Sequence, residues 1–270
     1  MGKTFIRNNR LSLWFSGLLA CALLAGCHRD SPDTLIVGTI SGPETELVQV
    51  ASEVAKKQAG LHIKIVEFND FNRLNTALND GSLDANVYQH LPYLQVAIEV
   101  QHYDLAVMGK TFIYPTGIYS KKIHRLSKLA DNALIAIPND PSNETRALRL
   151  LEQASLIKLK NATGMVSETD IVQNEKHLRF KAMDAAQLPR VLPDVDAAII
   201  NTTFAIPAGL KPQQDALILE NKNSPYVNLI VIRRDSKKKI QLEQFVHAFQ
   251  SPEVKEKADA LFGGAAIPGW

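Results

Sequence analysis

Cysteine is nearly absent: Cys21 and Cys27 are the only two in 270 residues. Cys21 lies in the N-terminal apolar run, so once that run is removed Cys27 has no disulfide partner, and the fold must stand on packing. Excess charge of one sign is also missing. The formal balance of +2 includes Lys3, Arg7 and Arg10; without them 27 basic residues face 28 acidic ones, a balance of −1. That removes the argument for a nucleic-acid partner. The one basic cluster, Arg233-Arg234-Asp-Ser-Lys237-Lys238-Lys239, has no aromatic stacking platform beside it and reads as a solvated turn. Signatures of catalysis are lacking too. There is no Gly-x-Ser-x-Gly elbow, no His-Glu-x-x-His, no phosphate loop and no usable cysteine nucleophile. The seven histidines are scattered, none at metal-ligand spacing. Asp194 and Asp196 sit on or beside a short strand, where Asp194 can face solvent. These absences give no support to an enzyme, a metal site or a cofactor.

What is present begins with a processing signal. Lys3, Arg7 and Arg10 precede the apolar run 11–25, which closes on Leu24-Ala25-Gly26-Cys27. At about 15 residues the run is shorter than the ~20 that span a bilayer comfortably, and its flanks match a secretory signal. Leu-Ala-Gly-Cys resembles a bacterial lipobox, whose cysteine is lipidated and becomes the first mature residue. We therefore expect a lipoprotein signal peptide over 1–26, a lipid-anchored tether over 27–33 and membrane attachment through Cys27. An uncleaved anchor helix is the alternative. The 244 residues from Cys27 onward can support two lobes with a core each.

From residue 34 strand-like and helix-like segments alternate: strand 34–40, helix 43–58, strand 61–68, helix 70–78, strand 84–88 and helix 92–100. An extended stretch over 105–121 has no helix signal and reads as a crossover into a second lobe. That lobe should hold a strand ending at Pro138, a helix behind it, a polar insert over 161–164, a helix near 168–173, and strands 177–182, 196–200 and 216–220. A second extended crossing over 224–232 precedes helices 240–249 and 252–262, which return to the first lobe. This βαβ alternation predicts parallel sheets with helices on both faces and ligands beyond the carboxyl ends of strands.

The stretch Ile135-Ala-Ile-Pro138-Asn-Asp140-Pro141-Ser-Asn143-Glu-Thr-Arg146 reads as strand, turn and helix. Asp140 suits the N-cap, Pro141 the first helical position, and Asn143 and Arg146 share a face three residues apart. A helix start and a guanidinium together favour a carboxylate. Arg146 alone would equally suit a solvated helix charge.

At Tyr88-Gln-His-Leu-Pro-Tyr93, Pro138-Asn-Asp-Pro-Ser-Asn143, Ile200-Asn-Thr-Thr203 and Ser224-Pro-Tyr-Val-Asn228, the chain resembles the methionine-binding lipoproteins of bacterial methionine ABC importers, the NlpA lipoprotein family. The resemblance runs from the lipobox to Trp270. It implies an α/β periplasmic-binding-protein fold, type II-like: two α/β lobes joined by two crossing strands, here 34–114 plus 230–270 and 115–229, with a ligand cleft between them. It also implies capture of L-methionine for an importer of permease and ATPase subunits, by a monomer facing the periplasm, with anchoring in the inner membrane favoured. Carried over residue by residue, Phe71, Tyr88, His90 and Tyr93 would form the thioether pocket. Asn143 and Arg146 would meet the amino-acid head, completed by Asn201 and Asn228. Relatives carry Tyr at position 71 and Phe at 88, an exchange that moves a hydroxyl, and Glu144-Thr145 stands where smaller or apolar residues are common. Read by themselves, the aromatics could be ordinary core, His90 a structural histidine, and Asn201 and Asn228 turn residues. Another apolar amino acid, a methionine-containing dipeptide, or a surface interaction role without transport remain the alternative functions. Glu144 is the weak point, since its carboxylate could satisfy Arg146.

Overall fold

Thr34–Ile40 (β1) is buried at most positions, on both faces, with Leu35, Ile36, Val37 and Ile40 supplying the apolar side chains. The structure, a computed structural model, describes residues 1–2, 34–160, 163–221 and 223–270. The expected signal segment beyond Gly2, Cys27, the tether and part of the 161–164 insert lie outside the described residues. After β1 come Pro43–Ala59 (α1), His62–Phe68 (β2), Leu74–Asn79 (α2), Ala85–His90 (β3), Leu91–Gln101 (α3) and Leu105–Ile113 (β4). The second half holds Gly117–Tyr119 (β5), Leu134–Pro138 (β6), Pro141–Gln153 (α4), Lys158–Leu159 (β7), Ile171–Gln173 (β8), Arg179–Met183 (β9), Leu188–Val191 (α5), Ala197–Ile200 (β10), Thr202–Ala205 (α6), Pro212–Asp215 (α7) and Ile218–Leu219 (β11). Val227–Arg233 (β12), Lys239–Phe249 (α8), Pro252–Phe262 (α9) and Ile267–Pro268 (β13) finish the chain.

Two main sheets result. The first runs β13-β4-β12-β3-β1-β2, with β1 parallel to both β2 and β3 and with β12 antiparallel to β3 and β4. The second runs β11-β5-β10-β6-β9, with β6 parallel to β10 and β9. The chain leaves the first sheet after Ile113 and enters the second at Gly117; it leaves the second after Leu219 and rejoins the first at Val227. Tyr114-Pro115-Thr116 and residues 220–226 are therefore the two crossings. Val227, Asn228 and Leu229 already pair in the first sheet, ahead of the 229/230 edge expected from sequence.

Each sheet has its own core. In α1, Leu47, Val48, Ala51, Val54 and Ala55 form one apolar stripe buried against Leu242, Phe245 and Phe249 of α8 and Val254, Ala258 and Phe262 of α9. Gly60 ends α1 in the left-handed conformation at φ 66, its N–H bonded to Lys56 O at 3.0 Å. Ala147, Leu148 and Leu151 of α4 bury against Ile135, Ile137 and Ile199 in the second sheet.

Two expected helices differ. The segment expected to be helical from 70 starts only at Leu74, because Asp70 Oδ1 accepts from Asn72 N at 2.8 Å and closes a side-chain turn that competes with helix. Phe71 is thereby left on a loop. The helix expected near 168–173 is one 3₁₀ turn, Glu168–Asp170, followed by β8 paired to β7; β-branched Ile171 and Val172 favour the strand.

Candidate functional site

The carboxyl ends of β3 and β6 meet between the sheets. On β3 the pairing with β12 skips one residue: Leu229 faces Gln89 while Ile230 faces Val87, so Tyr88 is the extra residue of a β-bulge. The kink lets Tyr88, Gln89 and His90 all line one cavity. Phe71, Tyr93, Tyr114, Asn143, Arg146, Asn201, Thr202, Thr203 and Asn228 complete it around a narrow space, about 350 Å³ of non-atom volume with open solvent included. All eight residues singled out in the sequence line this space.

One wall is aromatic. The Phe71 ring centroid lies 5.8 Å from Tyr88 and 6.0 Å from Tyr93, and Tyr88 and Tyr93 are 5.8 Å apart, near edge to face. Tyr93 OH donates to Phe71 O at 3.1 Å, which ties the loop to α3. From α6 of the other lobe Phe204 closes on Phe71 at 4.9 Å. The buried Tyr88 hydroxyl has no hydrogen-bond partner among the described residues.

The opposite side is polar. Asp140 caps α4, accepting from Asn143 N at 2.9 Å and from Asn143 Nδ2 at 3.1 and 3.0 Å on its two oxygens. Asn143 Oδ1 accepts from Asn201 Nδ2 at 2.8 Å and makes a longer contact, 3.5 Å, with His90 Nε2. His90 Nδ1 accepts from Tyr93 N at 3.3 Å as the cap of α3, so the neutral ring carries its proton on Nε2 and donates to Asn143. Burial, then the Arg146 charge, pulls the His90 pKa down to about 3, and the ring is neutral at physiological pH. Asn143 is thus held at both ends of its amide and organises the polar wall. Asn228 Nδ2 donates to Tyr88 O at 3.1 Å, and the buried Asn201 Oδ1 has no partner among the described residues.

Arg146 is buried, and Glu144 is not its partner. Glu144 Oε1 accepts from Glu168 N instead, at 3.3 Å. Arg146 Nε donates to Glu220 Oε1 at 3.0 Å, and Nη2 donates to Glu220 Oε2 at 2.5 Å and to Tyr114 O at 2.9 Å. The guanidinium lies 4.5 Å from the Tyr226 ring centroid, which meets His90 at 4.9 Å. Glu220, Phe204, Tyr226 and Tyr114 were not singled out in the sequence. Tyr226 stands inside a quoted motif and Tyr114 in the extended stretch 105–121, but nothing in the sequence pairs Glu220 with a residue 74 positions away.

The two lobes also touch each other directly. Asn72 Nδ2 donates to Asp184 Oδ2 at 2.9 Å, and Thr203 Oγ1 donates to Glu44 Oε1. Two α/β lobes, two crossings and a cleft at strand ends define the substrate-binding protein of an ABC transporter. The chain belongs to the NlpA lipoprotein family, whose pattern matches residues 35–270. The D-methionine-binding lipoprotein MetQ of Salmonella typhimurium is 46% identical over 258 residues, covering 94% of this chain and 95% of that protein. A solved nutrient-binding protein from Burkholderia cenocepacia bound to methionine superposes with a TM-score of 0.86 at 46% identity, covering 87% of this chain and 100% of that one. A periplasmic substrate-binding protein from Coxiella burnetii gives a TM-score of 0.85 at 52% identity, over 87% of this chain and 100% of its own. Among the described residues no helix is long and apolar enough to cross a membrane.

Proposed function

We propose that this lipoprotein captures methionine in the cavity between its lobes and hands it to an ABC importer. The observation that carries the reading is one pair of free polar groups facing an aromatic wall. Arg146 Nη1 enters no hydrogen bond among those of the described residues, and Asn201 Oδ1 is a buried acceptor without a donor. A carboxylate on the first and an ammonium on the second satisfy both, with the side chain running to Phe71, Tyr88, His90 and Tyr93. Sulfur against aromatic rings contributes ~0.3–1.5 kcal/mol per contact. Asn228 and Asn143 hold the frame on which these contacts are built. Because the wall comes from one lobe and Arg146 from the other, the ligand bridges them and favours closure.

On this reading the chain is a monomer, tethered by a lipidated Cys27 to the inner membrane after removal of residues 1–26, and docks on the permease whose partner subunit is the ATPase. The lobes meet their partners on the periplasmic side. Native mass spectrometry of the purified protein, followed by calorimetry with L- and D-methionine, tests it. Bound methionine, with the L form preferred, supports the reading. An empty cleft that ignores both enantiomers sinks it.

A further inference from the structure

Arg146 reaches the cavity already neutralised. Its side chain is 4% exposed and that of Glu220 is 11% exposed, so their charges face each other in a poorly solvated place. Glu220 engages Nε and Nη2 together, which fixes the plane of the guanidinium as a single hydrogen bond could not. Glu220 is fixed in turn: Oε2 accepts from Thr116 N at 3.3 Å, and its own N–H donates to Thr116 O at 2.9 Å. Tyr114 O takes the second proton of Nη2, and Tyr226 covers the guanidinium face. Nη1 is the nitrogen left for a ligand.

The remaining lining supplies no positive charge. Arg146 is the only Lys or Arg among the lining residues, His90 is neutral, and Asp140 lies behind Asn143. A bare carboxylate entering this cavity would give up its water to a site with no net cationic charge, which is costly. A zwitterion brings its own ammonium, for which Asn201 Oδ1 is waiting.

We propose that Glu220 is a positioning and specificity residue: it aims Nη1 of Arg146 at the ligand carboxylate and cancels the guanidinium charge, so that the cavity takes a zwitterionic α-amino acid and rejects a simple carboxylate with the same tail. This inference rests on the methionine reading. The test compares L-methionine with 4-(methylthio)butanoate, which keeps tail and carboxylate and lacks the ammonium. Calorimetry at neutral pH is run on the wild type, Glu220→Gln and Glu220→Asp, with thermal melts as the folding control. In the wild type methionine should bind far more tightly than the anion. Glu220→Gln should narrow that preference by about tenfold or more, chiefly by improving the anion relative to methionine. Glu220→Asp keeps the charge while loosening the grip, so both ligands should weaken by a similar factor with the preference intact. An unchanged preference in Glu220→Gln overturns the proposal. If that variant does not fold, a collapsed preference in Glu220→Asp overturns it and a retained one supports it. A wild type that binds neither ligand refutes the methionine reading itself, and this inference with it.

Discussion

Thr203 donates a hydrogen bond to Glu44 across the boundary between the lobes, from the first turn of α6 to the first turn of α1. A helix N-terminus ordinarily favours an ionised glutamate. Here burial wins: Glu44 is 2% exposed, and desolvation raises its pKa from 4.5 to about 8, against a lowering by Thr203. Tyr114 packs near enough for Glu44 to raise its pKa further beyond the effect of burial.

The folded state therefore holds a proton on Glu44 that the unfolded chain releases between about pH 4.5 and 8, and stability falls as pH rises through that window. His90, lowered from 6.5 to about 3, acts oppositely below 6.5, where folding excludes a proton that the unfolded chain binds. Between 6.5 and 8 the Glu44 slope stands without that opposition. Thermal melts should show the wild type losing stability over that range, while Glu44→Gln, which keeps the shape and both kinds of hydrogen-bonding group, should be markedly flatter. Equal slopes would remove Glu44 as the cause.

Arg146→Ala should weaken methionine binding by on the order of 2–5 kcal/mol, the usual loss on truncating one partner of a buried charge contact. It should also lower stability, because Glu220 is then buried without its cation. Calorimetry and chemical denaturation read the two effects separately. Unchanged affinity would return Arg146 to a structural ion pair.

Tyr88→Phe tests the buried hydroxyl that has no hydrogen-bond partner among the described residues. If that hydroxyl donates to the thioether sulfur, a weak acceptor, the variant should lose about 0.5–1.5 kcal/mol of preference for methionine over norleucine. Its melting temperature should change little, since the buried hydroxyl meets no neighbour in good hydrogen-bond geometry among the described residues. A preference that survives intact would place the sulfur elsewhere.

Cys27→Ala should release the protein from the membrane into the soluble fraction with methionine affinity unchanged. Detergent phase partitioning and calorimetry on the released protein measure the two halves of that statement. Lost affinity would mean that the tether cannot be separated from the cleft.

Of the eight residues that meet in the cavity, Asn143 and Arg146 could be read from local signals, Pro138 before a capping Asp140 and a helix start, whereas Phe71, Tyr88, His90, Tyr93, Asn201 and Asn228 were legible only through the family resemblance of the motifs around them. Asp140 does cap α4, and Pro141 opens it. Hidden from local patterns were features that depend on distant pairing. Glu220 reads as the polar end of a weak strand, and only the β11–β5 pairing brings it to Thr116 and Arg146. Phe204 follows two threonines and gives no sign that it will face Phe71. The bulge at Tyr88 is invisible too, since Tyr88 and His90 alternate as in any regular strand until β12 is laid against them. The late start of α2 had a local cause, Asp70 bonding two residues ahead, that helical periodicity does not weigh.

Tyr114 and Glu220, the two groups that hold Arg146, belong one to each crossing between the lobes. The residue proposed to grip the ligand is thus bolted to both hinges. Opening angle and affinity then share their parts: a substitution of Glu220, or a shift of the backbone at Tyr114, would re-aim the guanidinium. Selection on how fast the cleft releases its cargo and selection on what it holds would act on the same few bonds, so neither trait can drift without dragging the other.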